Sequence, residues 1–212
     1  KGIQQERTIS DAFEQSSSGA TLVNMLELDM LVGSGGVLSH APRRHQAARM
    51  LIDAFLPEGI TQLAVDSIFM MPQLGILSTI HPKAAIEVFE KDCLIRLGTC
   101  IAPVGIIKPD TVVLTYEFLL PNEKNSGNIM AGEMKLIDIP YEEVEIKLIP
   151  GKGLNIGAGK NEPLISKVYG GEVGIILDGR GRQPFQLSKD TEERIKNLST
   201  WSIESKEFPK VK

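Results

Sequence analysis

Histidine and cysteine are scarce in this chain, with three His and two Cys among 212 residues. Cys93 and Cys100 stand seven positions apart, and no second Cys or His pair sits beside them at zinc spacing. Neither a disulfide framework nor a zinc site is therefore expected, and two reduced, partly buried thiols fit the pattern. Long apolar runs are missing as well: Asp, Lys, Arg or Gly interrupts every candidate membrane span. The opening residues, Lys1-Gly2-Ile3-Gln4-Gln5-Glu6, do not form a signal peptide, so a cytoplasmic location is expected. There is no surplus of positive charge: Lys plus Arg number 23 against 27 Asp plus Glu, a net charge of −4. That balance speaks against a broad nucleic-acid footprint and against polybasic attachment to a membrane. Catalytic signatures are equally thin. With no Gly-x-Ser-x-Gly elbow and no His-Glu-x-x-His, hydrolase and metalloenzyme readings have little footing. Beginning with Lys rather than Met, the chain reads as a fragment or a processed product.

The apolar fraction is 42%, enough to bury a sizeable core. Ile9, Ala12 and Phe13 predict an early helix, broken at Ser16-Ser17-Ser18-Gly19. Leu28 to Val32 is a short apolar run leading into Gly33-Ser34-Gly35-Gly36, as in a buried strand, loop and helix unit. Pro42 opens a helix with a stripe of Ala47, Ala48, Leu51, Ala54 and Phe55, which Pro57 and Gly59 stop. Ile60 to Val65 predicts a strand ending at Asp66-Ser67, a natural N-cap. An apolar helix follows over Phe69 to Leu77, and another starts at Pro82 with Ala85, Phe89 and Cys93 at buried spacing.

Beyond about residue 97 the texture becomes β. Val112 to Leu120 alternates, with Leu114, Tyr116, Phe118 and Leu120 on one side and Thr115 and Glu117 on the other. Glu123 to Asn128 reads as a polar turn, and Met134 to Ile139, Val144 to Ile149, Ile165 to Tyr169 and Val173 to Leu177 as further strands. Asp190-Thr191-Glu192-Glu193 resembles a capping box opening a last helix through Ile195, Leu198 and Trp201.

The glycines at 33, 35 and 36 let a backbone approach a ligand closely, but a plain tight turn uses the same residues, and both readings stay open. Arg43, Arg44 and His45 oppose the dipole of the helix they begin; they either splay into solvent or meet an acidic partner, and His40 reads as a loop residue. The segment Asn155 to Asn161 imitates a phosphate-binding P-loop and fails: Leu154 stands where the first Gly belongs, and Asn161 where Ser or Thr belongs. Asp178-Gly179-Arg180-Gly181-Arg182 reads as a loop with glycines at positive φ, with a basic partner-binding loop as the alternative. Asp66, Asp138 and Asp178 lie near strand ends, and nothing in the sequence places two of them together.

The continuous stretch from Leu28 through Gly33-Ser34-Gly35-Gly36 to Pro42, followed by Pro57-Glu58-Gly59-Ile60-Thr61-Gln62-Leu63 and Asp66, resembles the glutamate mutase accessory family. Gly151 to Gly159 and Gly170 to Arg182 resemble its C-terminal part, so the likeness extends over most of residues 28 to 212. The resemblance implies the superfamily of actin, Hsp70 chaperones and sugar kinases. It implies an α/β second lobe of an actin-like ATPase fold over residues 1–96, then a small β-rich barrel or sandwich over 97–212 with a C-terminal helix. In that lobe a strand, a Gly-Gly loop and a helix cradle adenosine; the matching positions are Gly33, Ser34, Gly35 and Gly36, and the helix Phe69 to Leu77 matches the one closing the lobe. The implied ligand is ATP or ADP, with Mg²⁺ in the full-length protein. The implied role is ATP-driven reactivation of a cobalamin-dependent mutase, the partner, by exchange of damaged cofactor. No Asp-x-Gly-x-Thr-like segment is present, so hydrolysis by this chain alone is not expected, and no catalytic residue is assigned. The β part, residues 97 to 187, is the candidate partner-docking surface. Two alternatives remain: a small-molecule kinase of the same superfamily, with Asp66 as the weak candidate for a base, and a non-catalytic interaction module.

Overall fold

A computed structural model describes residues 24–119, 124–182, 185 and 187–208; the early helix expected around Ile9 and Phe13 and its Ser/Gly break lie outside these residues. The fold is mixed α/β, with two sheets and few helices. The strands are β1 (Met30–Gly33), β2 (Gly59–Asp66), β3 (Leu94–Ala102), β4 (Val112–Leu119), β5 (Lys124–Met130), β6 (Met134–Ile137), β7 (Glu143–Pro150), β8 (Leu164–Tyr169) and β9 (Gly174–Asp178). The helices are α1 (Gly36–Ser39), α2 (Arg44–Phe55), α3 (Met71–Ser78), α4 (Pro82–Val88), which runs into a π-turn at Phe89–Cys93, and α5 (Thr191–Glu204).

The first sheet has the order β1-β2-β3-β9-β6, with β1 parallel to β2, β3 parallel to β9, and antiparallel pairing elsewhere. The second is wholly antiparallel, in the order β5-β4-β7-β8. Side-chain parity shows how they stack. Ile175 and Leu177 of β9 join Leu114, Tyr116, Phe118, Ile146 and Leu148 in a core between the sheets. Ile176, between them in sequence, joins Ala47, Ala48, Leu51 and Ile52 of α2 and Trp201 of α5 in a core on the opposite face. The order of layers is helices, first sheet, second sheet. A sheet covered on both faces needs near-continuous apolar strands, and all five residues of β9 are buried. The second sheet has one wet face, so Thr115 and Glu117 of β4 point outward between buried neighbours.

One irregularity makes this stacking consistent. Along the β2–β3 pair the register runs from Leu63↔Gly98 to Ala64↔Arg96, leaving Leu97 without an opposite partner. This β-bulge switches parity: Ile95 and Leu97 face the helical core before it, Cys100 and Ala102 after it. Gly98, at φ 137°, is the hinge of the switch, and a Cβ there would lie 1.8 Å from the carbonyl oxygen of Gly174.

Several sequence expectations change. Residues 124–128 form most of β5 rather than a turn: pairing with β4 overrides poor strand propensity, and Gly127 leaves room for the Tyr116 hydroxyl, which would sit 2.9 Å from a Cβ. Strand β3 went unassigned because Arg96 and Gly98 interrupt its apolar pattern, and the expected boundary at residues 96/97 falls inside it. On α2, Ala47, Ala48 and Leu51 are buried as expected, whereas Ala54 and Phe55 are exposed and Arg49 and Ile52 face inward.

The G98A variant is expected to lose about 3 kcal/mol or more of stability, because backbone rather than a flexible side chain fills the space; denaturant unfolding checks this.

Candidate functional site

Because β1 and β2 are parallel neighbours, with Gly33 opposite Val65, their C-terminal ends open on the same edge of the sheet. Ligand crevices of α/β sheets form at such ends. Here this places the glycine loop beside Asp66, a juxtaposition the sequence did not show. The Ser34 hydroxyl donates to Asp66 Oδ2 at 3.3 Å, while Asp66 Oδ1 accepts from the Met70 N–H at 3.1 Å and Oδ2 from the Met71 N–H at 3.0 Å. Asp66 is fully buried. Burial pushes its carboxyl up, but the amides of Met71, Met70 and Ile68 and the Ser34 hydroxyl together outweigh this and hold it below the ordinary range. With its oxygens committed to the start of α3, Asp66 is an anchor, and the kinase alternative loses its candidate base.

The loop glycines differ in role. A Cβ at Gly33 would meet Leu38 at 2.6 Å and Leu51 at 2.9 Å, so this glycine serves the packing of α1 and α2. Gly35 sits at φ 106° with nothing within 4 Å of its would-be Cβ, and at Gly36 the nearest atom is His40 Cδ2 at 3.9 Å. Ser39 braces the loop from below, its hydroxyl donating to the Gly35 carbonyl at 2.7 Å. Among the described residues no carbonyl outside α1 accepts from the amides of Gly35, Gly36 or Val37. Three residues after Asp66, Phe69 is held at φ 57°, a left-handed conformation unfavourable for a bulky side chain, and remains half exposed.

The other candidates fall elsewhere. Arg44 does not splay into solvent: it donates to the Ser39 carbonyl at 2.9 Å and pairs with Glu172 at 3.8 Å. His40 is exposed. Burial, then Arg43 and Lys206, pushes the His45 imidazole below its ordinary value. Asp138 pairs with Lys206 at the surface. Cys93 and Cys100 are buried free thiols, and burial pushes Cys100 up to about 12. No group of three or more His, Cys, Asp or Glu among the described residues could hold a metal. Two clefts, of 1260 and 780 Å³, lie away from the glycine loop.

The Asp178-to-Arg182 segment is not an exposed basic loop. Asp178 Oδ1 accepts from Arg180 Nε at 2.9 Å, and Oδ2 accepts from Arg180 Nη2 and Arg182 Nη2, both at 2.8 Å. Arg180 also reaches Asp53 of α2 at 2.8 Å, and Asp53 pairs with Arg49, which pairs with Glu207 at 3.0 Å. Arg182 donates to the Pro57 carbonyl at 2.8 Å. The Arg49 and Arg180 guanidinium groups lie over the Trp201 ring, at 5.6 and 5.0 Å from its centroid. Burial pushes the Asp178 carboxyl up, yet Arg182 and Arg180 hold it well below the carboxylate range. Both Asp178 oxygens are satisfied and buried, so this cluster ties β9 to α2 and to the segment before β2.

Residues 3–93 match the family model described as MutL protein, a family of glutamate mutase accessory proteins. The matched stretch contains the glycine loop, Asp66, α3 and α4, and ends one residue before β3. No curated protein and no solved structure matches the chain.

Three outcomes are expected. D66N should cost about 1–2 kcal/mol through weakened capping of α3. Because the folded carboxyl sits below its ordinary 3.8, that contribution is complete above the ordinary value and fades as pH falls through the folded one. Unfolding curves of D66N and the parent should therefore converge on acidification. F69G should raise stability by about 0.5–1 kcal/mol by relieving the left-handed strain, seen as a higher Tm. D178N should lose about 3–5 kcal/mol, because two buried arginines lose their counter-charge; urea unfolding measures it.

Proposed function

We propose that this chain is part of an ATP-dependent accessory protein that reactivates a cobalamin-dependent mutase such as glutamate mutase, and that Gly33 to Gly36 form its adenosine-facing loop. The observation that carries the reading is the free side of that loop: open space at Gly35 and Gly36, and amides of Gly35, Gly36 and Val37 with no described carbonyl partner outside α1. The family match to residues 3–93 supports it, since the loop lies in the matched stretch. This loop belongs, in the reading, to the second lobe of an actin-like fold. When bound, ATP would supply the energy of phosphoryl transfer. The residues here would seat the nucleoside, with Gly35 and Gly36 permitting close approach and Ser34 holding the loop to Asp66. Ligands for phosphate and Mg²⁺ would come from elsewhere in the full-length protein.

A second feature supports a partner-binding role. The segment around α3 and α4 leaves Ile68, Phe69, Ile76, Ile80 and Ile86 each more than half exposed, at 52% to 72%. Clustered exposed apolar side chains mark contact surfaces.

Calorimetric titration with ADP and ATP tests the reading, on this chain and on the full-length protein. Gly36 is the informative position: unlike Gly35 it carries no positive φ, and a side chain there meets open space, so G36V should fold normally. Nucleotide binding that G36V weakens by about tenfold, some 1.4 kcal/mol, is the expected result. Absence of binding in the full-length protein, or binding that G36V leaves unchanged, would sink it.

A further inference from the structure

A cleft of 780 Å³ lies between residues 104–112 and the turn of residues 152–160. It carries Lys108, Lys152 and Lys160 and no Asp or Glu, although the chain as a whole has a net charge of −4. Asp110 and Glu162 are close in sequence but do not line it. Among the described residues none of the three ammonium groups forms an ion pair or a side-chain hydrogen bond. Between the lysines the cleft presents apolar surface: Ile106 is 80% exposed and Val112 is 38% exposed, above buried Leu154.

The walls are braced. Val104 and Asn155 exchange backbone hydrogen bonds at 2.8 and 2.9 Å. Asn155 Oδ1 accepts from the amides of Gly157 and Gly159 at 2.8 and 2.9 Å, and Asn161 Oδ1 accepts from the Gly153 amide. The Thr111 hydroxyl closes the opposite turn on the Lys108 carbonyl at 2.7 Å. The turn that imitates a P-loop in sequence is thus a hydrogen-bonded bracket that carries Lys160, with Lys152 just before it and Lys108 on the other segment of the cleft. A preorganised site loses little freedom on binding.

We propose that this cleft docks an acidic segment of a partner protein, its carboxylates meeting Lys108, Lys152 and Lys160 and an apolar side chain covering Ile106. Charge complementarity selects the partner: three lysines in a cleft that no acid lines favour carboxylates and reject basic segments. Nucleic acid fits poorly, because no aromatic side chain lines the cleft for base stacking. The site is independent of the nucleotide reading, as neither Gly35 nor Gly36 borders it.

The test uses the whole chain and a panel of labelled synthetic peptides with interspersed Glu and Leu, beside matched sets with Lys for Glu or Ser for Leu, read by fluorescence anisotropy. Acidic peptides are expected to bind, to weaken with added salt, and to lose about tenfold or more in affinity to a K108E/K152E/K160E variant with an unchanged melting curve. I106S should weaken the Glu/Leu set and leave the Glu/Ser set unaffected. No binding by any acidic peptide, or binding indifferent to the lysine substitutions, would overturn the proposal. Inorganic phosphate or phosphatidylserine vesicles that fill the cleft and displace the peptides at lower concentration would overturn it too, in favour of a small anion or a lipid headgroup.

Discussion

The carboxylate of Asp178 is the point on which the rest of the arrangement turns. It ends β9, an inner strand of the first sheet, and it fixes two buried arginines whose remaining donors reach Asp53 on α2 and the Pro57 carbonyl before β2. From Asp53 the chain of charges runs through Arg49 to Glu207, just past α5, and Arg49 and Arg180 both lie over Trp201. Burying so many charges yields little net stability over a well-packed apolar alternative. Its effect is geometric. Planar guanidinium groups accept few orientations, so the helical layer can sit on the sheet in one way only.

That placement in turn sets the glycine loop. α2 packs on β1 and β2, its Leu51 reaching the point where Gly33 has no side chain. The loop leaves β1 directly above this contact and is tied to the end of β2 through Ser34 and Asp66. The strained backbone at Phe69 belongs to the same corner. Rigid packing lies beneath the loop and open space above it, and strain concentrated in such a corner is typical of surfaces that meet another molecule.

Much of this was legible in the sequence, and the failures have physical causes. Strands with a simple period, such as β4 and β7, were readable because one face is wet and the other dry. The helix stop at Pro57 and Gly59 and the cap at Asp190, whose carboxylate accepts from the Glu193 amide at 2.8 Å, follow from local chemistry. β3 was not legible, because its bulge breaks the period that reveals a strand. β5 was not, because its residues prefer turns and only a neighbouring strand makes them extend. For the site, the loop glycines were visible as a motif, but their contact with Asp66 spans 32 residues and depends on strand order, which no local pattern carries. The arginines of the Asp178 segment misled for a similar reason: a basic run looks solvated until its acidic partners arrive from distant elements.

The bulged strand β3 has a further consequence. The stretch that matches a known family ends at residue 93, yet the sheet it begins is completed by β3, β9 and β6. Severing the chain at that border would strip β2 of a neighbour along its whole length, leaving a row of unanswered amides and carbonyls. An edge of that kind recruits foreign strands. Sequence similarity and folding therefore draw their borders in different places: the matched stretch begins a sheet that it does not complete.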